Sequence, residues 1–166
     1  MRNIFLLIIV FVTFISTTRA QEIGSKYQGG IVVGPGIIIH PTRLSKRTAT
    51  GGVQNYFDIN EANNACRTLR TGGYSDWRVP TIVDLEYINR YAQDNLEWGG
   101  FPPPISAAVD YLSSSTKTDN GFFESNTYRY FFYMIGDKTS QKTGFPQKTL
   151  KSISGLGYLL PVRYFR

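Results

Sequence analysis

Gly72-Gly73-Tyr74-Ser75-Asp76-Trp77-Arg78-Val79-Pro80-Thr81 stands between two stretches of helical periodicity, and reading it as their junction decides the fold. Upstream, Asp58 is a good N-cap with Glu61 three residues later. Ile59, Ala62, Ala65, Cys66 and Leu69 then recur at helical spacing as far as the stop expected at Gly72-Gly73. Downstream, Pro80 precedes the cap Thr81, with Asp84 at the third position and Leu85, Ile88 and Ala92 on the apolar side, before Trp98-Gly99-Gly100 ends the second helix. Within the junction Trp77 is placed to plug the core, and Asp76 and Arg78 point away from the side the indole takes. They are expected to pair with each other or with loop backbone, a structural role for Gly72, Gly73, Asp76, Trp77, Arg78 and Pro80 rather than a catalytic one.

Working outward, residues 29–33 and 37–39 are β-branched runs divided by Gly34-Pro35-Gly36, a hairpin or a strand broken by a turn. Pro102-Pro103-Pro104 can neither continue a helix nor donate to a ladder. Candidate strands follow at 109–115, 128–135, 143–151 and 158–164, separated by Asn120-Gly121, Gly136-Asp137 and Gly155-Leu156-Gly157. Strand, two helices, then several strands predicts an α+β domain with two helices packed on a mainly antiparallel sheet, not alternating βαβ units.

At the start of the 166-residue chain, Arg2, an apolar run from Ile4 to Ile15 and Thr18-Arg19-Ala20 read as a signal peptide over residues 1–20. The apolar run is about 12 residues, short of the roughly 20 that a spanning helix needs. Cleavage would leave a single domain, 21–166, secreted, periplasmic or at the cell surface, with no stable membrane insertion. Cys66 is the one cysteine, so stability must come from the hydrophobic core and not from an internal disulfide.

Charge is uneven. The net charge is +6, yet eleven of the twelve acids lie between Asp58 and Asp137, leaving both ends basic. Arg43, Lys46 and Arg47, beside His40, form one cationic cluster, and Lys138, Lys142, Lys148 and Lys151 another. If the fold joins its ends, these make one basic face able to hold a sulfated or carboxylated glycan; otherwise they are solvated surface charges.

Ala62-Asn63-Asn64-Ala65-Cys66-Arg67 and the junction block, with Tyr27-Gln28-Gly29-Gly30-Ile31-Val32, Asp84-Leu85, Tyr111-Leu112-Ser113-Ser114-Ser115 and Pro161-Val162-Arg163, resemble a family of exported bacterial domains. The family is named after the C-terminal domain of the collagen-like adhesin Lcl. Leu112 stands where a tryptophan is usual, and Leu159-Leu160 where valine-arginine is. The resemblance implies a C-type-lectin-like fold, with paired terminal strands and a long loop region on one side. It also implies a surface-exposed, adhesive or variable binding role, some members recognising sulfated polysaccharides.

Enzymatic signatures are missing from the sequence. A Cys66 nucleophile would need His40, the only histidine, but Cys66 falls on the apolar stripe of the first helix. No Cys or His pair has metal-ligand spacing, no calcium-loop pattern or lectin Glu-Pro-Asn or Gln-Pro-Asp triplet occurs, and no phosphate loop or dinucleotide fingerprint is present. The expectation is a non-enzymatic binding module without metal or cofactor. Its expected partner is an acidic polysaccharide or a surface protein, not nucleic acid, and its expected ligand residues are Arg43, Lys46, Arg47, Lys148 and Lys151. The alternative is a structural subunit of a surface assembly or a protein-binding module, held by the aromatics Tyr128, Tyr130, Phe131, Phe132 and Tyr133.

Overall fold

The structure, a computed structural model, describes residues 22–94, 109–120, 125–133 and 148–165. The leader expected over 1–20, the proline run, Lys138 and Lys142 lie outside the described residues. In chain order the strands are β1 (Lys26–Tyr27), β2 (Gly30–Gly34), β3 (Ile37–Ile39), β4 (Lys46–Arg47), β5 (Val53–Gln54) and β6 (Tyr56–Phe57). Helices α1 (Ile59–Thr68) and α2 (Ile82–Asp94) follow, then β7 (Asp110–Asn120), β8 (Ser125–Tyr133), β9 (Lys148–Ser152), β10 (Gly157–Tyr158) and β11 (Val162–Tyr164). They form a four-stranded sheet, β1-β2-β3-β11, a five-stranded sheet, β6-β10-β7-β8-β9, and the small ribbon β4-β5. All ladders are antiparallel except that between β10 and β7, so the fold is α+β with mainly antiparallel sheets.

The β2–β3 hairpin forms around Pro35 and Gly36, and its β-branched run is buried on both faces, as continuous apolar strands require. Val32 and Ile38 pack with Trp77 on one side. Val33, Ile37 and Ile39 face the other, meeting Leu85 and Ile88 of α2 and Tyr111 and Phe132 of the large sheet. A second cluster lies across that sheet, where Leu112 and Phe131 meet Phe57, Val79, Leu159 and the Ala62 and Cys66 face of α1. The adjacent Phe131 and Phe132 thus serve opposite faces, by the two-residue alternation of a strand. Leu112 and Leu159 touch this second cluster, whereas Leu160 belongs to the first.

Both helices open with reciprocal caps. Asp58 Oδ1 accepts the Glu61 N–H at 2.8 Å while Glu61 Oε2 accepts the Asp58 N–H at 3.0 Å. Thr81 Oγ1 accepts the Asp84 N–H at 3.2 Å and Asp84 Oδ2 accepts the Thr81 N–H at 2.7 Å. Helix α1 ends earlier than the glycines suggested: Leu69 is already extended, and Gly72 and Gly73 belong to a short 3-10 turn, both at positive φ.

The expected strand 158–164 is two strands in different sheets. Pro161 has no N–H to give a ladder, and Leu159 and Leu160 drop into different clusters on either side of the crossing. The strand expected at 109–115 instead continues to Asn120, with a bulge between Leu112 and Thr116. The buried Arg129 spans that bulge, its Nη1 donating to the carbonyls of Ser113 and Ser114 at 3.1 Å each. Carbonyls that the ladder leaves unpaired thereby gain a donor.

Candidate functional site

The junction block is where the two ends of the domain are fastened. Arg78 bridges to Val162 in both directions, its N–H donating to the Val162 carbonyl at 2.8 Å and its carbonyl accepting the Val162 N–H at 2.9 Å. Its guanidinium donates to Asp84 at 3.0 Å and stacks on Tyr164, 4.3 Å from the ring centroid. Asp76 pairs instead with Arg163, whose Nη1 donates to Gln28 Oε1 at 2.7 Å and whose guanidinium lies 3.7 Å from the Tyr74 ring centroid. Asp76 and Arg78 therefore do not pair with each other: Arg78 takes Asp84, six residues on, and Asp76 takes Arg163 from the far end of the domain.

Trp77 is buried and donates its Nε1–H to the Thr71 carbonyl at 3.2 Å. The Pro80 carbonyl accepts from the Ser114 N–H at 2.8 Å. Gly72 and Gly29 touch through their backbones: a Cβ on Gly29 would sit 2.5 Å from the Gly72 Cα. The hydrogen bonds and ion pairs of Asp76, Trp77, Arg78 and Pro80 in this block all hold parts of the fold together.

Of the expected cationic residues, three carry a carboxylate partner. Lys46 pairs with Glu61, Lys148 with Glu86 and Lys151 with Asp110. Lys148 and Lys151 do not share a face of β9: Lys148 stands opposite Phe132 and Lys151 opposite Arg129. Although β3 and β11 join the ends of the domain, Lys148 and Lys151 lie on opposite faces of β9, so the five residues do not form one basic face. The acids of the middle segment, which a sum over sequence windows counts apart from the basic ends, fold directly onto these lysines.

Arg43 and Arg47 have no ion pair among the described residues, and both are exposed. The Arg43 guanidinium carbon lies 5.2 Å from the centroid of the Tyr158 ring. Tyr158 stands opposite Tyr56 across the β10–β6 ladder, and the two rings meet edge to face at 4.6 Å. Tyr56 is 44% exposed. Its hydroxyl titrates above the usual tyrosine range because it is hydrogen-bonded to Tyr158 and repelled by a second phenolate there and by Asp110. Lys46 turns towards Phe57 and Glu61, so alternation turns its neighbour Arg47 the other way, beside Val53, its cross-strand partner and 72% exposed. Arginine on a tyrosine face with a second exposed ring beside it offers planar donors for a carboxylate or sulfate and an apolar face for a ring.

Neither tyrosine was singled out by the sequence, because each belongs to a two-residue strand without visible alternation. The aromatics expected to be an exposed assembly surface are not exposed. Phe131 and Phe132 are fully buried and Tyr128, Tyr130 and Tyr133 half-buried, as in a strand covered on both faces.

Burial pushes the Cys66 thiol up to about 12, the opposite of an activated nucleophile. Both His40 ring nitrogens are engaged elsewhere: Nδ1 donates to the Thr42 carbonyl at 2.7 Å and Nε2 accepts from Thr71 Oγ1 at 2.8 Å. No three His, Cys, Asp or Glu side chains are grouped to hold a metal among the described residues. Fold and site together describe an α+β domain with a cation-and-tyrosine surface. No protein-family model matches the chain, and no curated protein matches it.

Proposed function

We propose that this protein is an exported, non-enzymatic binding module with a C-type-lectin-like fold that recognises acidic polysaccharide at the cell surface or in the secreted or periplasmic space. The observation that carries this reading is Arg43, exposed and without an ion-pair partner among the described residues, stacked on Tyr158 beside the exposed ring of Tyr56. The ladder between the N-terminal hairpin and β11 supports the lectin-like part of the reading, as does the resemblance to the exported Lcl-type domains. Arg43 and Arg47 supply charge-assisted donors to the anion, and Tyr56 the ring on which a sugar lies.

The test is a glycan array at low and physiological salt, with Arg43→Ala/Arg47→Ala and Tyr56→Ala beside the wild type and Lys148→Ala as control. Salt-sensitive binding to acidic glycans should be lost in the first two and kept in the third. A blank array moves the assignment to the alternative, a structural subunit or protein-binding module.

A further inference from the structure

Strand β7 outruns the sheet to which it belongs. Tyr111 is its one residue paired with β10, and the following serines are occupied by the start of α2: Ser114 Oγ donates to the Pro80 carbonyl at 3.1 Å and Ser115 Oγ accepts the Ile82 N–H at 3.0 Å. From Thr116 to Asn120 the strand pairs on its inner side with 125–129 of β8. Among the described residues no strand pairs with its outer side. Thr116, Lys117, Thr118 and Asp119 are all exposed.

An open, threonine-rich edge is a template for another strand, and a lysine in such an edge ordinarily repels one. Here the lysine does not act alone. Asp119 follows Lys117 by two residues and so lies on the same side of the strand, its Oδ1 2.9 Å from Lys117 Nζ and both side chains about half exposed. Antiparallel pairing of this edge with its own copy, centred on Thr118, sets Lys117 of each chain opposite Asp119 of the other. A slip of two residues in either direction sets lysine against lysine or aspartate against aspartate, which is unfavourable. The charge order thus selects one register and makes the edge complementary to itself.

We propose that residues 116–120 of β7 form a self-association surface on which a second copy of this chain adds as an antiparallel strand. Five residues on each side make a small interface, so the dimer forms at high concentration and weakens with salt. This surface is separate from Arg43 and Tyr56, and its test does not depend on any glycan.

Sedimentation velocity of the purified protein over a range of concentrations should show the mean mass rising towards that of a dimer. Lys117→Asp and Asp119→Lys should each weaken association about tenfold, because each places like charges opposite one another twice. Combining them as Lys117→Asp/Asp119→Lys restores complementarity and should restore the dimer. These side chains are exposed, so the folded state tolerates all three variants. A wild type that stays monomeric at every concentration, single variants that associate like wild type, or a double variant that stays monomeric would each overturn the proposal.

Discussion

Arg163 and Asp76 lie 87 positions apart in the chain, yet the Arg163 Nε donates to Asp76 Oδ1 at 2.7 Å. The arginine is buried and the carboxylate mostly exposed, so a solvated acid is used to hold a cation inside the fold. With the Gln28 hydrogen bond and the Tyr74 ring, this one guanidinium joins β1–β2, the junction block and β11.

Replacing Arg163 with Ala should therefore cost about 3 kcal/mol in urea unfolding, since two charge-assisted hydrogen bonds and a stacked ring are lost together. Asp76→Asn should cost only about 1 kcal/mol, because water screens the exposed oxygen. Arg163→Lys should not rescue, as a point charge can neither fork nor stack.

Gly29→Ala should cost on the order of 2–3 kcal/mol, since φ is +80° and the new methyl meets the Gly72 backbone, which has no flexible end to move. Equal stability of this variant and wild type in the same urea titration would show that the Gly72 backbone gives way to the methyl without cost.

Helix and turn chemistry was legible in the residues themselves, because caps are local. Asp58 with Glu61, Thr81 with Asp84, and Gly34-Pro35-Gly36 each act within four positions of chain. The strands were legible as runs but not as partners. Residues 158–164 read as one strand because only Pro161 and Arg163 interrupt an apolar run, and only the packing of Leu159 and Leu160 sends the halves to different sheets. The site was legible in part: Arg43 and Arg47 stand out as cations, while the acids that neutralise Lys46, Lys148 and Lys151 are invisible to charge counted along the chain.

The chain has one histidine, so stability near neutral pH reports on it. Burial holds the His40 imidazole below its ordinary 6.5, partly offset by the Thr42 carbonyl. The unfolded chain then binds more protons than the folded one, and stability is full above about pH 6.5 and falls as pH drops through that value towards the lower folded one. His40→Gln should flatten the slope of unfolding free energy between about pH 7.5 and 5.5; an unchanged slope would sink this assignment.

Cys66 is 2% exposed, with its thiol raised to about 12. At pH 8 a thiol reagent should fail to label the folded protein and should label it stoichiometrically in urea. Rapid labelling without denaturant would mean that α1 opens locally, not globally.

The ladder between β3 and β11 sets Ile39 against Val162 and Ile37 against Tyr164. During synthesis, then, the hairpin made first waits with an open edge and uncovered isoleucines until the strand that completes it has left the ribosome, and contacts this distant in sequence form late. The growing chain is expected to lack its native core through most of its translation, because the strand that closes the first hairpin is among the last to be made.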